Sequence, residues 1–439
     1  MDRSSSSRRS LSRFDTLQQW LHWQQSLHPD AIDLGLERVR SVSERLLSGS
    51  KPSFPVIIIA GTNGKGSTLS MMARIYRHQG YRTGSFTSPH LFRYNERICF
   101  NGKAVNDDQL CLAFEAVEQA REGVSLTYFE FSMLAALWLF GKNDVDIGLF
   151  EVGLGGRLDA VNILDADLAV VTTVDLDHQD WLGQDRERIG TEKAGIFRPS
   201  QRAVCGDPFP PESVVEAARS MGVRLYTQDQ DFALAPRPDG GWEWRCSNPD
   251  YRFGLALPEQ FPRHQRQNLS TALMSVVLMN QVLPLSMPAE VWSLQDIDQA
   301  LPAGRFERTA HSPEVILDVA HNVQAVASLL EKIKKLEERR TLAVFSVLSD
   351  KDYRAMIALM AEVVDKWFIS TVRSDRATSC EDICEALEAQ HCHWQCFGSI
   401  FEAYQSAVSE AAPCDRVVVF GSFYTVAEVK YGPSLHRLY

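Results

Sequence analysis

The chain has 439 residues, of which 45% are apolar and 23% are charged, a composition typical of a globular protein long enough for two or three domains. Its net charge of −11 argues against a general affinity for nucleic acid or anionic membranes, so an anionic ligand has to be held locally. The longest apolar stretch, Met133 to Phe140, is far shorter than the ~20 residues that a membrane span needs.

The N-terminal region predicts a tail followed by two helices. Residues 1–13 are rich in Ser and Arg, which favours a disordered tail and leaves a transit peptide as the alternative. Apolar residues at helical spacing behind Asp15, a good N-cap, predict a first helix from Leu17. Val39 to Leu46 predict a second helix, and 31–36 a loop between the two.

The next segment predicts a phosphate site. Residues 56–60, VIIIA, are a β-branched run typical of a strand buried in a parallel sheet. The glycine turn GTNGKGST, residues 61–68, follows directly and leads into a helical stretch over 69–78. Backbone N–H groups, a helix N-terminus and the Lys65 ammonium together favour a nucleotide phosphate, with Ser67 or Thr68 within reach of magnesium. The alternative is a βα turn without a ligand.

Buried strands are also predicted at 146–152, 168–174 and 203–205, with a helix over 129–140. This alternation of strands and helices indicates an α/β domain. It restarts at Glu314, with strands at 315–318, 342–347 and 416–420 separated by helices. Pro and Gly near residues 301–304 interrupt the pattern. We therefore predict a tail over 1–13, an ATP-binding domain over 14–300 and a second α/β domain over 301–439.

Polar residues follow three predicted strands, in the segments 87–91, 151–159 and 174–178. Open α/β sheets bind ligands at the carboxyl ends of their strands. A hydroxyl, the Glu151 carboxylate and the His178 imidazole beside a triphosphate suit magnesium, which shares phosphate oxygens. Alone, Glu151 could be a capping residue and His178 a hydrogen-bonded loop histidine.

Nine cysteines in this length do not make a disulfide scaffold, so we expect reduced thiols and a cytoplasmic protein. The cluster between Cys380 and Cys396 has poor spacing for zinc, so ordinary thiols are preferred there over a structural metal.

The stretches GTNGKGST, TSPHL, EVGLGGRLDA, LDHQDWLG and EKAGIF resemble those of the folylpolyglutamate synthases, within the Mur ligase-like group of ATP-dependent amide ligases. The similarity extends from Ala31 through GRFE, LDVAHN and FGSFYTVA, nearly the whole chain after the tail. It implies an N-terminal P-loop parallel-sheet ATPase domain and a smaller C-terminal Rossmann-like α/β domain, closing around ATP, a folate-like carboxylate and L-glutamate.

The resemblance also implies roles for individual residues. Lys65, a carbamylated Lys193 and His321 would be catalytic, with His321 positioning the incoming amine and a structural loop histidine as its alternative. Magnesium would be held by Ser88, Glu151 and His178. ATP would be bound by Thr62, Asn63, Gly64, Lys65, Gly66, Ser67, Asn268, Arg305 and Asp318. The pterin would contact Ala31, Ile32, Asp33, Leu34, Thr127, Tyr128, Phe129, Glu130 and Leu158.

A carbamate on Lys193 is reasonable, because an ammonium would repel magnesium whereas a carbamate offers anionic oxygens. Asp33 has a competing interpretation, as a cap of the helix near Leu36. The chain also departs from the usual family pattern. Val323 and Gln324 replace Pro-His, and Tyr424 stands where a histidine is common.

The implied reaction is acyl-phosphate formation on a pterin acid, followed by displacement of phosphate by glutamate. We expect addition to dihydropteroate and to reduced folates, with ATP as co-substrate and magnesium as cofactor, in a monomer without nucleic-acid or membrane partners. Three alternatives stay open: a synthase for folates only, a ligase for cell-wall precursors, and a P-loop nucleotide switch without ligase activity.

Overall fold

The computed structural model describes residues 12–247, 250–257, 261–284 and 302–432. The predicted tail lies almost wholly outside these ranges, as does the predicted domain boundary between residues 300 and 301. Within them, no helix is long and apolar enough to cross a membrane.

The helices, in chain order, are α1 (Leu17–Gln25), α2 (Glu37–Leu46), α3 (Lys65–His78), α4 (Asp107–Arg121), α5 (Tyr128–Lys142), α6 (Gln179–Leu182), α7 (Arg186–Ala194), α8 (Glu212–Ser220), α9 (Arg263–Met279), α10 (Val323–Lys334), α11 (Tyr353–Met360), α12 (Cys380–Glu388), α13 (Ile400–Glu410) and α14 (Phe423–Tyr431), with 3-10 turns at Tyr94–Arg97 and Ala160–Ile163.

The strands are β1 (Val56–Ala60), β2 (Thr83–Phe86), β3 (Ile98–Phe100), β4 (Lys103–Ala104), β5 (Ile147–Glu151), β6 (Leu168–Val171), β7 (Arg202–Cys205), β8 (Arg224–Thr227), β9 (Phe232–Pro236), β10 (Trp242–Ser247), β11 (Asp250–Leu255), β12 (Glu307–His311), β13 (Glu314–Leu317), β14 (Thr341–Phe345), β15 (Lys366–Ile369), β16 (Trp394–Cys396) and β17 (Arg416–Phe420).

An eight-stranded sheet organises the N-terminal part, in the order β4-β3-β2-β5-β1-β6-β7-β8. The six strands β2, β5, β1, β6, β7 and β8 are neighbours that pair in parallel. At one edge, β3 pairs antiparallel with β2, and β4 pairs antiparallel with β3. All five residues of β1 are buried, as its β-branched run predicts. Ile57 and Ile59 pack in the core with α3 and α9, whereas Ile58 faces the core with α5. The central position of β1 places the glycine turn in the middle of the sheet's carboxyl edge.

A six-stranded sheet, in the order β12-β13-β17-β14-β15-β16, organises the C-terminal part. Only β12 is antiparallel, and the three strands predicted from the sequence are the adjacent central ones, β13, β17 and β14. The predicted α/β class with a large parallel sheet and a smaller second α/β unit is confirmed. A three-stranded antiparallel sheet, β9 to β11, was not predicted.

Three local predictions are wrong. Thr16, not Asp15, caps α1, because its hydroxyl accepts the Gln19 N–H in a reciprocal capping box. Helix α3 begins at Lys65 rather than Leu69, because Gly64 at φ 88° already ends the turn. Finally, Cys380 and Cys396 form a disulfide with an S–S distance of 2.06 Å instead of two thiols.

Candidate active site

The glycine turn depends on two residues without side chains. Gly61 and Gly64 have φ values of 147° and 88°, in the region that disfavours other residues. A Cβ on Gly64 would lie 2.3 Å from Oδ1 of Asn268 on α9, and a Cβ on Gly61 would lie 1.9 Å from Oγ1 of Thr172. The turn is therefore packed tightly against its neighbours, one of which is Asn268, a residue that the resemblance assigns to the ATP site.

Lys65 lies over the turn. Its ammonium donates to the carbonyl oxygens of Gly61, at 3.0 Å, and Thr62, at 3.2 Å. The Thr62 hydroxyl is occupied by Asp175, donating to its carbonyl and accepting its N–H, both at 3.0 Å. Thr62 thus fastens the turn to the loop after β6, whereas among the described residues the Lys65 cation hydrogen-bonds to carbonyl oxygens alone. A nucleotide phosphate would offer that cation a full charge.

Glu151, the last residue of β5, is buried beside the start of α3. Its Oε2 accepts the Ser88 N–H at 3.1 Å, and a Cβ on Gly66 would lie 3.5 Å from the same oxygen. Burial raises the pKa of Glu151, and the Lys65 charge opposes that rise. The buried Glu151 carboxylate and the hydroxyl of its neighbour Ser88 are oxygen ligands of the kind that suit magnesium. The chemistry of these two residues therefore fits the implied ion.

The contacts of His178 are with residues of the C-terminal part. Its Nδ1 lies 3.6 Å from Oδ2 of Asp350 and its Nε2 lies 3.4 Å from Nζ of Lys351, both in the C-terminal part. Across the residues that the structure describes, no three His, Cys, Asp or Glu side chains form a metal-binding group. The structure thus joins Ser88 to Glu151 by a hydrogen bond, and it places His178 against Asp350 and Lys351.

Lys193, in α7, is 3% exposed, and its ammonium makes no hydrogen bond within the described residues. Burial lowers its pKa to about 7, and the nearby Lys65 charge acts in the same direction. A buried amine that is readily neutral is the form that can add CO2 as a carbamate.

Three predicted ATP-site and catalytic residues come from the C-terminal part. The guanidinium carbon of Arg305 lies over the Phe423 ring, 5.4 Å from its centroid. Burial lowers the pKa of Arg305, and the negative charges of Asp318 and Glu151 oppose that lowering. Asp318 is paired with Lys332 at 3.1 Å. His321 contacts the Val319 carbonyl through Nδ1 at 2.8 Å, and burial lowers its pKa to about 4. His321 is therefore neutral at neutral pH, and with Nδ1 as the donor its Nε2 can accept a proton or hydrogen bond.

Sequence reasoning missed a buried ion pair between the two parts of the chain. The Lys351 ammonium lies 2.6 Å from Oδ1 of Asp177 and 3.4 Å from Oδ2 of Asp350. Desolvation raises and the Lys351 charge lowers the pKa of Asp177, with a net lowering. Asp350 and Lys351 follow β14 in the sequence, so the strand-end reasoning used for Glu151 could have identified them.

The predicted pterin residues lie around the loop before α2 and the start of α5. Oδ2 of Asp33 lies 2.6 Å from Nη1 of Arg38 and 3.1 Å from Nε2 of His28. The same guanidinium contacts Glu130, with Nη2 of Arg38 3.2 Å from Oε1 of Glu130. The competing interpretation of Asp33 as a helix cap is wrong, because Leu36 is the N-cap and α2 has no side-chain cap.

Thr127 and Glu130 form a capping box at the start of α5. The Thr127 hydroxyl accepts the Glu130 N–H at 3.2 Å, and the Glu130 carboxylate accepts the Thr127 N–H at 2.8 Å. Phe129 packs on Phe86, and Tyr128 on Tyr94. Leu158, Ile32 and Leu34 are half-buried, and Ala31 is exposed. Thr127 and Glu130 therefore have a structural role in the fold that the pterin prediction did not include.

Two family models match the chain: the Mur ligase middle domain over residues 59–207, and the Mur ligase, glutamate ligase domain over residues 304–423. The chain is 40% identical to a dihydrofolate synthase/folylpolyglutamate synthase of Escherichia coli K12, with 94% of each protein covered. It is 36% identical to the protein of the same name from Haemophilus influenzae, covering 94% of this chain and 96% of that one.

Solved structures agree. The fold is similar to E. coli FolC in complex with DHPP and ADP, with a TM-score of 0.87, 39% identity, and 95% and 97% of the two chains covered. It is also similar to a bifunctional folylpolyglutamate synthase/dihydrofolate synthase with Mn, AMPPNP and L-glutamate bound, with a TM-score of 0.86, 38% identity, and 96% and 98% covered. On its motifs, fold and relatives, this chain belongs to the dihydrofolate synthase/folylpolyglutamate synthase family of the Mur ligases.

Proposed function

We propose that this protein is an ATP-dependent ligase that adds L-glutamate to dihydropteroate and to reduced folates through an acyl phosphate. The observation that carries the proposal is the convergence of the Lys65 turn, Glu151 and buried Lys193 on the carboxyl edge of the large sheet, opposite Arg305 and His321. The named ligands of the related structures, DHPP with ADP and AMPPNP with L-glutamate, support the same substrates here.

In the first step, the substrate carboxylate attacks the γ-phosphorus of ATP and ADP leaves. The Lys65 ammonium would exchange the Gly61 and Thr62 carbonyls for phosphate oxygens, and the N–H groups at the start of α3 would add to that stabilisation. Ser88, Glu151 and His178 would hold magnesium, which neutralises phosphate charge when bound. Arg305 would bind the phosphates from the opposite side, and Asn268 and Asp318 would contact the nucleoside.

In the second step, the glutamate amine displaces phosphate from the acyl carbon. The amine is reactive only when neutral, so an acceptor close to it must hold the proton it loses. His321 is suited to positioning the amine, because its Nδ1 contact with the Val319 carbonyl leaves Nε2 of the neutral ring as an acceptor for an amine N–H, and the proton itself passes to phosphate or solvent. We also propose that residues 14–300 and 301–439 are the two domains, each with its own parallel sheet.

The acceptor assignment rests on the pterin residues. Asp33, held by Arg38, would meet the amino and amide edge of the pterin, while Phe129, Leu34 and Leu158 would provide apolar walls. The use of ATP and small acids suits a cytoplasmic monomer without nucleic-acid or membrane partners, and the net charge of −11 supports this.

Phosphate release by the purified chain with ATP, magnesium and glutamate distinguishes the candidate functions. We expect release to require an acceptor and to occur with both dihydropteroate and tetrahydrofolate. Release with tetrahydrofolate alone would leave a synthase for folates only, and release with a nucleotide-linked cell-wall peptide would favour the other Mur ligases. Release without any acceptor would favour a nucleotide switch.

A further inference from the structure

Three side-chain amides connect the glycine turn to the C-terminal part. The Asn63 Nδ2 donates to Oε1 of Gln324 at 2.6 Å and to Oδ1 of Asn322 at 3.1 Å. In return, Nδ2 of Asn322 donates to Oδ1 of Asn63 at 3.2 Å. Gln324 is one of the two residues at which the sequence analysis finds this chain to depart from the family that it resembles.

Which amide donates and which accepts in these bonds follows from two neighbouring groups, each of which can only donate or only accept. Oδ1 of Asn322 accepts the backbone N–H of Ala325 at 2.9 Å, and Nδ2 of Asn322 lies 3.1 Å from the Asp177 carboxylate. An N–H can only donate and an ionised carboxylate can only accept, so the Asn322 amide has one orientation. Asn63 must then accept from Asn322 through Oδ1 and point Nδ2 at Gln324, whose oxygen is the acceptor.

Both ends of the Asn63–Gln324 bond are firmly placed. The Asn63 carbonyl accepts the hydroxyls of Thr172, at 2.6 Å, and Thr173, at 3.1 Å, at the end of β6. Gln324 is in the first turn of α10, which Asn322 caps and which Lys332 fastens to Asp318. The bond therefore joins two rigid elements, one from each side of the candidate active site.

We propose that Gln324 is a positioning residue that holds the C-terminal part closed over the glycine turn while the acyl phosphate exists. This inference rests on the proposed function. An acyl phosphate that meets water returns to the acid and free phosphate, so each opening of the site consumes one ATP without adding glutamate. Loss of the Gln324 acceptor makes opening easier by about fivefold, the effect of one hydrogen bond.

The measurement is the ratio of phosphate released to glutamate incorporated, with dihydropteroate as acceptor. Q324M and Q324A remove the acceptor, whereas Q324E keeps an acceptor oxygen at the same length. E331Q, an exposed position on the same helix, is the matched control. We expect phosphate release without glutamate to rise about fivefold in Q324M and Q324A, and to stay near the wild-type level in Q324E and E331Q.

A variant that only misfolds lowers both products equally and leaves the ratio unchanged. An unchanged ratio in Q324M and Q324A whose melting temperatures match the wild type, or equal leakage in Q324E and Q324M, would overturn the role given to Gln324. If the wild-type enzyme released no phosphate with dihydropteroate and glutamate, the proposed acceptor would fail instead, which is a separate result from leakage in a working enzyme.

Discussion

The nucleotide half and the pterin half of the candidate site differ in how their charges are paired. The nucleotide half comprises residues 61–68 with Glu151 and Lys193. Its Lys65 cation hydrogen-bonds only to backbone carbonyls in the part of the chain that the structure describes. Within the described residues, Glu151 accepts one hydrogen bond and Lys193 makes none. In the pterin half, comprising residues 31–36 and the start of α5, Asp33 and Glu130 are both paired with Arg38.

On the proposed function, the difference separates residues that would bind a charged ligand from residues that would frame a neutral ring. Buried charges without partners are costly unless a ligand or a chemical change compensates them. ATP, magnesium and a carbamate would supply that compensation in the nucleotide half. In the pterin half the charges already compensate one another, so substitutions there should change affinity or stability more than catalysis.

The sharpest test of this contrast is Lys65→Ala. We expect kcat to fall about 100- to 1000-fold, because a preorganised charge at the transferring phosphoryl group is lost. The melting temperature should stay near the wild-type value, since the ammonium donates to two carbonyls of its own turn. Lys103→Ala, at an exposed position, is the control. Activity within tenfold of wild type would remove Lys65 from the nucleotide site.

Lys193→Ala should have the next largest effect, a loss of about 10- to 100-fold in kcat, as expected for a group that tunes a metal site. Short carboxylic acids should restore part of the activity by replacing the carbamate oxygens. Lys193→Arg, which cannot form the carbamate, should be inactive with and without acetate. An unmodified Lys193 in a crystal with ATP and magnesium at neutral pH would contradict the carbamate.

In the pterin half, Asp33→Ala should raise KM for dihydropteroate about tenfold, and more than KM for tetrahydrofolate, because one charged hydrogen bond to the ring is lost. Its effect on kcat should be small. Asp30→Ala, in the same loop but exposed, should leave both KM values unchanged. Equal changes in KM for the two acceptors would assign Asp33 to the frame alone.

The smallest effect is expected for Thr127→Ala. Loss of the cap on α5 should lower the free energy of unfolding by about 1 kcal/mol, while Thr127→Ser should retain most of it. Denaturant titration measures this difference. A rise in KM for dihydropteroate in Thr127→Ala but not in Thr127→Ser, at unchanged stability, would instead make Thr127 a substrate contact.

Local patterns predicted much of the fold, including the strand and the glycine turn of the nucleotide half. The β1 run and the glycine turn were identified because a buried parallel strand needs continuous β-branched residues, and the turn needs glycine at Gly61 and Gly64. The β9 to β11 sheet was missed because its strands are only partly buried and lack such runs. Where apolar periodicity is weak, sequence alone does not distinguish a strand from a loop.

Contacts between distant segments escaped prediction for a different reason. The Asp177–Lys351 pair joins residues 174 positions apart, and nothing local to either residue indicates the other. The Cys380–Cys396 disulfide likewise requires α12 and β16 to pack together before its sulfurs can meet. Asp33 and Glu130 were assigned to the pterin, but their common partner Arg38 could be recognised only in three dimensions.

The central claim, activation of a pterin carboxylate by ATP, is tested most directly with dihydropteroate carrying oxygen-18 in its carboxylate. Attack on the γ-phosphorus places one labelled oxygen between carbon and phosphorus, and displacement by glutamate leaves that oxygen on phosphate. We expect mass spectrometry to find one labelled oxygen in each phosphate formed with dihydrofolate. Unlabelled phosphate, or label in AMP, would contradict the acyl-phosphate mechanism.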